Sequence, residues 1–216
     1  MSSNYRYTRD WENQQKRLFT DYDVAGDYDI PIIRPEYDFH SVKWIPFNKS
    51  KTAQKRKGVG IHHFIDDYQF VREWKNIDAY VDLFRQFDYV MSPDFSMYTD
   101  FPKALQMYNH FRKHWIGAYL QEKGVHVIPT ISWSTPDSFD WCFDGEPRES
   151  VVAVSSVGCN RVLDKFVEGY NAMIQALNPS TIIFYGKIPN ECKGNIIHVK
   201  SYGSQIREAI IDGWSQ

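Results

Sequence analysis

GVGIHHFIDDYQFVREWKNIDAYVDLFRQFDYVMSP, residues 58–93, is the stretch that decides the fold. It opens with a short apolar run that predicts a buried strand, and a second such run lies at 89–93. Between the two runs, apolar side chains recur every three or four residues, which predicts a helix over 66–87. A strand, a helix and another strand in succession indicate a crossover connection between parallel neighbours.

The same alternation continues toward the C-terminus. Apolar runs predict further strands, and helical periodicity predicts two more helices. The first helix has Asp100 as N-cap, Pro102 in its first turn and Gly124 as a left-handed C-cap. The second helix has Asn160 as N-cap. The strands lie at 125–133, 151–156, 181–186 and 195–203, and the helices at 100–124 and 160–177. The predicted fold class is therefore α/β, with a mostly parallel five- to six-stranded sheet flanked by helices, either as an open sheet or as a partial barrel.

The N-terminal quarter follows a different pattern. Residues 1–57 predict an irregular arm, in which IPIIRP (30–35) is a short strand or edge segment, and residues 58–216 predict the α/β domain. The arm ends in a basic segment with the cations Lys49, Lys51, Lys55, Arg56 and Lys57. Such a run is either a solvated loop or a patch that contacts the phosphates of a nucleic acid.

Composition excludes several classes of protein. The chain has 216 residues and a formal net charge of −2, so any contact with nucleic acid must be local. It contains 3 cysteines without CxxC spacing, which disfavours a zinc knuckle or a disulfide framework. Neither a signal peptide nor a membrane span is apparent, so the sequence predicts a cytoplasmic protein without a membrane partner. The P-loop and nucleophile-elbow motifs are absent, and GVGIHH fails the dinucleotide fingerprint.

Polar residues collect where the predicted strands end. Ligands of parallel α/β sheets bind beyond the carboxyl ends of the strands, so this edge is the expected site. His62 is the candidate acid or base, Asp94 its orienting carboxylate, and Asp67 a second carboxylate or a ligand for a divalent cation. The alternative is structural, since His62 can be a hydrogen-bonded strand residue and the aspartates can cap a helix or hold a turn. The sequence alone identifies no metal.

Four further residues are candidate ligand contacts at the same edge. Trp133 is a candidate wall for a flat ring, and Tyr185 ends the predicted fifth strand. Ser156 and Asn160 lie in SSVGCN, where backbone amides at a helix start can bind a phosphate or carboxylate. A plain tight turn explains that segment equally well. Cys159 in the same turn is either activated by the helix terminus or an inert thiol.

Several segments together resemble a known family. HHFIDDYQFVREW, SPDFSMYTDFP, VIPTISW, VVAVSSVG and IIFYG are similar, in this order and over about residues 28–187, to proteins of Gram-positive bacteria, phages and mobile elements known only as a domain of unknown function. At the first segment the family pattern favours HFF, and His63 replaces an aromatic residue. The resemblance thus favours His62 as the functional histidine. It implies a phage or mobile-element setting and supplies no catalytic assignment.

Two functions remain open at this stage. The leading hypothesis is an enzyme that acts on a nucleotide or nucleic acid by hydrolysis or group transfer, with or without a divalent cation. The competing hypothesis is a non-catalytic binding protein, such as a replication accessory or an inhibitor of host defence, whose partner is a host or phage protein or a nucleic acid. A deep cleft where His62, Asp94 and Ser156 converge would favour the enzyme.

Overall fold

The computed structural model describes residues 22–201 and 203–204 of the chain. Within these residues, the strands are β1 Val24–Ala25, β2 Ile30–Pro31, β3 Lys43–Pro46, β4 Val59–His62, β5 Tyr89–Met91, β6 Val127–Ile128, β7 Val151–Ser155, β8 Thr181–Tyr185 and β9 Ile196–Val199. The α-helices are α1 Val71–Lys75, α2 Asp78–Phe84, α3 Lys103–Glu122 and α4 Leu163–Leu177. The strands β1 and β2 form a small antiparallel pair, and the remaining strands are parallel.

The parallel strands form two sheets whose order follows the chain. One sheet has the order β3-β4-β5-β6 and the other has the order β7-β8-β9. A single parallel bridge between Thr130 and Ala153 joins them, and the Ile131 amide donates to the Ala153 carbonyl at 2.8 Å. The α/β class with parallel strands is confirmed. The sheets have four and three strands, and so differ from the predicted single sheet of five or six.

Side chains from the two sheets meet in one shared interior. Alternate residues of a strand point to the same face, and one such face of each sheet contributes to a common apolar cluster. Its buried members are Phe64, Tyr89, Met91, Ile128, Val151, Ala153, Ile183 and Tyr185. The strands β5, β6 and β7 lie between β4 and β8, yet His62 of β4 contacts Tyr185 of β8. The sheets therefore curve around this interior as in part of a barrel.

Helices cover the outer faces of both sheets. The first three helices pack on the four-stranded sheet through a cluster that includes the fully buried Trp115 and Phe84, and α4 packs on β7 and β8 around Tyr170. Burial of each such side chain contributes about 1.5–3 kcal/mol. The rim of the strands is thereby held on a rigid base.

Three predicted helix boundaries were wrong. The helix predicted over 66–87 is a 3₁₀ turn at Asp67–Gln69 followed by α1 and α2, because Asn76 adopts a non-helical φ of −156° and ψ of 76°. Helix α3 starts after Pro102 without a side-chain cap, so Asp100 is not its N-cap. Helix α4 starts after Val162 instead of Asn160. Gly124 has the predicted left-handed conformation, with φ +75°.

Part of the segment predicted as an arm belongs to the sheet. Strand β3 pairs with β4 from Lys43 opposite Val59 to Pro46 opposite His62, so the boundary predicted at residue 58 falls between two paired strands. The segment 30–35 contains β2, as expected for a short strand. Residues 1–21 of the predicted arm lie outside the described residues. In the part of the chain that is described, no helix is both long enough and apolar enough to cross a bilayer.

Candidate functional site

The predicted site residues meet at the carboxyl ends of the strands. The His62 and Tyr185 rings pack with centroids 4.7 Å apart, and the Ser156 amide donates to the Tyr185 carbonyl at 3.2 Å. The Cys159 amide then donates to the Ser156 carbonyl at 3.1 Å, and Cys159 packs in the same cluster as Trp133. The loop after β5 starts at the same edge, where the Ser92 hydroxyl accepts the Thr130 amide at 2.9 Å. The negative charge of Asp94, two residues further on, raises the pKa of Cys159.

His62 and His63 point to opposite faces of the sheet, as the strand period predicts. His62 faces the interior, where it packs on Phe64 and Tyr185 and its Nδ1 accepts the Phe64 amide at 3.2 Å. Burial, together with the charge of His63, lowers the pKa of His62 to about 3. His62 is therefore uncharged at neutral pH, which argues against the acid–base role predicted for it. His63 lies in the outer core and pairs with the buried Glu73 at 2.7 Å.

Asp94 is the ionisable group with the most unusual setting at this rim. Its side chain is half-buried, and among the described residues neither of its carboxylate oxygens receives a hydrogen bond. Burial raises the pKa of Asp94 to about 7, the positive charge of Lys113 opposes this shift, and the negative charge of Asp67 adds to it. Asp94 can therefore take up or release a proton near neutral pH.

Asp67 holds the loop that carries Asp94. Its carboxylate accepts the Ser96 amide at 3.1 Å and the Ser96 hydroxyl at 2.9 Å. Arg112 approaches the same carboxylate at 3.9 Å while its guanidinium lies 3.6 Å from the centre of the Phe95 ring. The neighbouring Asp66 occupies the N-cap position of the 3₁₀ turn without a side-chain cap bond. Asp67 thus has a structural task whatever chemical role it also has.

The predicted ligand contacts differ in burial and in the contacts that their side chains already make. Trp133 is half-buried and packs on Phe166 of α4 with ring centroids 5.2 Å apart. Ser156 is buried, and its hydroxyl donates to the Lys187 carbonyl at 2.6 Å. The side chain of Asn160 is outside the described structure.

Two backbone amides of the turn between β7 and α4 already donate hydrogen bonds within the turn. The Val157 amide donates to the Ser155 hydroxyl at 3.1 Å, and the Cys159 amide donates to the Ser156 carbonyl. These two amides are therefore not directed at an anion. Burial and the negative charge of Asp94 raise the pKa of Cys159, so the thiol is not activated by the helix terminus.

The basic segment runs from the carboxyl end of β3 to the amino end of β4. Lys55, Arg56 and Lys57 directly precede β4, and Arg85 precedes β5, so their surface is near the amino ends of these strands. Together with Lys51 these cations line a shallow depression. Lys49 and Lys51 lie in the 3₁₀ helix Phe47–Thr52 that follows β3. This 3₁₀ helix starts at the carboxyl end of β3, where Pro46 pairs with His62, and Asn48 donates to Gln69. Only Lys55, Arg56 and Lys57 of the predicted nucleic-acid patch therefore lie at the opposite ends of the strands from Asp94.

Sequence reasoning missed a buried polar group on α3. His110, Lys113 and His114 are buried and face Glu146 from the loop between β6 and β7. Lys113 donates to Glu146 Oε1 at 2.6 Å and to the Thr130 carbonyl at 2.9 Å, while His114 Nε2 lies 3.0 Å from the same Glu146 oxygen. One ligand atom each from His110, His114 and Glu146 lies within 4.8 Å of the others, so these three could hold a metal ion.

The available signal for this group was the spacing in HFRKH, residues 110–114. Two histidines four residues apart share one side of a helix. The apolar residues of this helix are a poor guide to its buried face, since Leu105 and Tyr108 are exposed. Glu146 comes from a loop, and its approach is not visible in any local pattern.

Comparison with known proteins gives the family. A family model described as a domain of unknown function, DUF4417, matches residues 22–203. The chain belongs to this family. The match covers nearly all described residues, including both parallel sheets and the Asp94 rim.

This DUF4417 chain is similar to two phage proteins. It is 35% identical to the Gene 1 protein of Mycobacterium phage L5, over 84% of this chain and 81% of that protein. It is 30% identical to the Gene 1 protein of Mycobacterium phage D29, over 100% of this chain and 82% of that protein. The predicted resemblance to a phage-associated family of unknown function is confirmed. No solved structure matches the chain.

Proposed function

We propose that this protein is an enzyme that acts on a nucleotide or nucleic acid by hydrolysis or group transfer, with Asp94 as its general acid or base. The observation that carries the proposal is the setting of Asp94, a half-buried carboxylate whose pKa burial raises to about 7. Acid–base catalysis is most efficient when the pKa of the group lies near the working pH. Carboxyl groups with strongly shifted pKa values are common in active sites.

The neighbours of Asp94 have separate tasks in this proposal. Ionised Asp94 takes the proton from an attacking water or hydroxyl while that oxygen bonds to the electrophilic atom of the substrate, and the leaving group departs with the electron pair of the broken bond. Lys113, fixed by Thr130 and Glu146, supplies a positive charge that favours the ionised state of Asp94. Asp67 orients the loop through Ser96, and a divalent cation shared with Asp94 would use their combined negative charge.

Exposed aromatic residues near the rim support the substrate class of this proposal. Tyr68 and Tyr98 are 76% and 60% exposed, and they lie in the loops that also carry Asp67 and Asp94. Exposed rings of this kind stack on nucleobases, at about 1–3 kcal/mol per base. Trp133 provides a further flat surface beside the turn after β7. A planar base between such rings, with its phosphate ester near Asp94, fits this arrangement.

The experiment is a substrate screen with a matched variant. Nucleoside triphosphates, single- and double-stranded DNA and RNA are incubated with the protein, with Mg²⁺ or with a chelator, and products are identified by mass spectrometry. We expect turnover of one class and a loss of about 100-fold or more in Asp94→Asn, since acid–base groups contribute about 10²–10⁴-fold. Asp82→Asn, at a side chain 95% exposed on α2, is the control and should keep full activity. Absence of turnover in the whole panel, or full activity in Asp94→Asn, would contradict the proposal.

The basic depression favours a second candidate function, non-catalytic binding of a nucleic acid. It is lined by Lys51, Lys55, Arg56, Lys57 and Arg85, and by no acidic residue among those that the structure describes. When such cations bind phosphates, the logarithm of the binding constant falls linearly with the logarithm of the salt concentration. The double variant Lys55→Glu/Lys57→Glu should lose affinity for single-stranded DNA and show a shallower salt slope. Lys165→Glu, at an exposed position of α4, is the control. Equal affinity and slope in both variants would exclude this surface.

A further inference from the structure

The buried group at the His110–Glu146 contact has the geometry of a metal site. His110 and His114 project from successive turns of α3, and Glu146 lies in the loop between β6 and β7. The side chains of His114 and Glu146 are 0% exposed, and His110 is 1% exposed as a residue. Lys113 supplies one positive charge to the buried carboxylate through Glu146 Oε1, at 2.6 Å, whereas Oε2 has no hydrogen-bond partner among the described residues.

Backbone carbonyls fix both imidazoles. His110 Nε2 lies 3.1 Å from the Asp144 carbonyl oxygen, and His114 Nδ1 lies 2.9 Å from the Pro31 carbonyl oxygen. A carbonyl oxygen only accepts, so each of these nitrogens carries the hydrogen. Metal-binding histidines are held in this way, with one ring nitrogen donating to a carbonyl or carboxylate and the other directed at the ion.

The ring nitrogens and carboxylate oxygens that face each other in this group have too few hydrogen-bond donors around them. His110 Nδ1 and Glu146 Oε2 are buried and have no hydrogen-bond partner among the described residues. His114 Nε2 faces Glu146 Oε1 at 3.0 Å, an arrangement that is repulsive for a neutral ring unless a cation lies between lone pair and carboxylate.

We propose that His110 Nδ1, His114 Nε2 and Glu146 bind a divalent first-row transition-metal ion of the Zn²⁺ class. Two imidazoles and one carboxylate suit this class of ion, whereas Mg²⁺ and Ca²⁺ prefer oxygen ligands alone. Lys113 contacts Glu146 through Oε1, which leaves Oε2 for the ion. The competing arrangement is a metal-free triad in which the Lys113 ammonium and a proton on His114 neutralise the carboxylate. The inference does not depend on the catalytic role of Asp94.

The test is metal binding by the tag-free, full-length protein after chelator treatment and dialysis. We expect one Co²⁺ per chain, with the intense visible absorption of a four- or five-coordinate ion, displacement of Co²⁺ by Zn²⁺, and a higher melting temperature with Zn²⁺. His110→Gln keeps a donor for the Asp144 carbonyl but loses the Nδ1 ligand, and it should weaken binding at least 100-fold. His126→Gln, at a histidine with a side chain 68% exposed, is the control and should bind normally.

A readout on the unmodified protein covers the case in which His110→Gln does not fold. The ring ¹⁵N resonances of His110 and His114 should shift on addition of one equivalent of Zn²⁺, while that of His62 should not. Weak pink, six-coordinate Co²⁺ absorption, unchanged ring resonances and an unchanged melting temperature would overturn the proposal and establish the metal-free triad. Equal Co²⁺ binding by a folded His110→Gln would also overturn it.

Discussion

The ring centroids of His62 and Tyr185 lie 4.7 Å apart, although β5, β6 and β7 lie between the strands that carry them. This contact ties the first sheet to the second across the shared interior. It also explains why His62 is uncharged, since its ring is enclosed by Tyr185 and Phe64. The curvature of the sheets therefore brings the strand ends together and at the same time withdraws His62 from proton transfer.

The first prediction concerns acid stability and His62. Burial lowers the pKa of His62 to about 3 from 6.5, so the unfolded chain binds the proton more readily than the folded one. This contribution to stability is complete above pH 6.5 and is lost as the pH falls toward 3, by about 2 kcal/mol at pH 5. His62→Gln should be less stable at pH 7.5 but should lose less stability on going to pH 5. Urea unfolding at both pH values measures this, and parallel losses in both proteins would refute it.

The second prediction concerns Asp94 and has the opposite sign. Burial raises the pKa of Asp94 to about 7 against the opposing charge of Lys113, with Asp67, His63 and Cys159 as its other ionisable neighbours. The folded protein therefore holds the proton more tightly, and the cost of ionised Asp94 grows from about pH 4 to pH 7 and stays constant above it.

Asp94→Asn removes this cost. The variant should exceed the unmodified protein in free energy of unfolding by about 4 kcal/mol at pH 8, and the difference should vanish near pH 4. Thermal or urea unfolding across this range measures the effect, with Asp82→Asn as the exposed control. A destabilised Asp94→Asn at pH 8 would show that the carboxylate is structural.

The strands were largely predictable because parallel strands covered on both faces are continuous apolar runs. Every run predicted between residues 58 and 203 contains an observed strand. Strand β3 was not predicted, since Lys43 is exposed and Pro46 would be unusual in a central strand; β3 lies at the edge of its sheet, where both are tolerated. The break at Asn76 was missed because the apolar period of α1 continues into α2.

The site was predictable only to its location. The rule that ligands bind at carboxyl strand ends selected Asp94 and Asp67, and in the structure the charge of Asp67 acts on the Asp94 carboxyl group. The pKa values that distinguish Asp94 from His62 depend on burial by distant parts of the chain, which no local pattern contains. The same holds for Glu146, whose partners are 32 and 33 residues away in the sequence.

The third prediction concerns Gly145, which places Glu146 against α3. Gly145 has φ +73°, and an added Cβ would lie 2.7 Å from the Pro31 carbonyl oxygen and 2.8 Å from His114 Nδ1. Gly145→Ala should cost about 3 kcal/mol or more, since it combines left-handed strain with overlap. Gly124→Ala has the same strain at φ +75° in open space, and should cost about 1–2 kcal/mol. Equal losses in urea unfolding would show that the contact with Pro31 and His114 is loose.

The fourth prediction concerns Gly169 in α4, which faces the Trp133 ring. An alanine in a helix interior is usually about 1 kcal/mol more stable than glycine, but a Cβ here would overlap the Trp133 indole. Gly169→Ala should therefore destabilise the protein, by about 1–3 kcal/mol. Trp133→Phe should restore part of the loss when combined with it, which a double-mutant cycle in urea measures. Additive losses would mean that the two side chains do not press on each other.

The central claim is that Asp94 exchanges its proton near neutral pH, and its ionisation can be measured directly. Carboxyl ¹³C resonances of protein labelled at aspartate are followed from pH 3 to pH 10, and the signal missing in Asp94→Asn identifies the residue. The structure predicts an apparent pKa of about 7 for this carboxyl group. A titration near pH 4, like that of an exposed aspartate, would contradict the account.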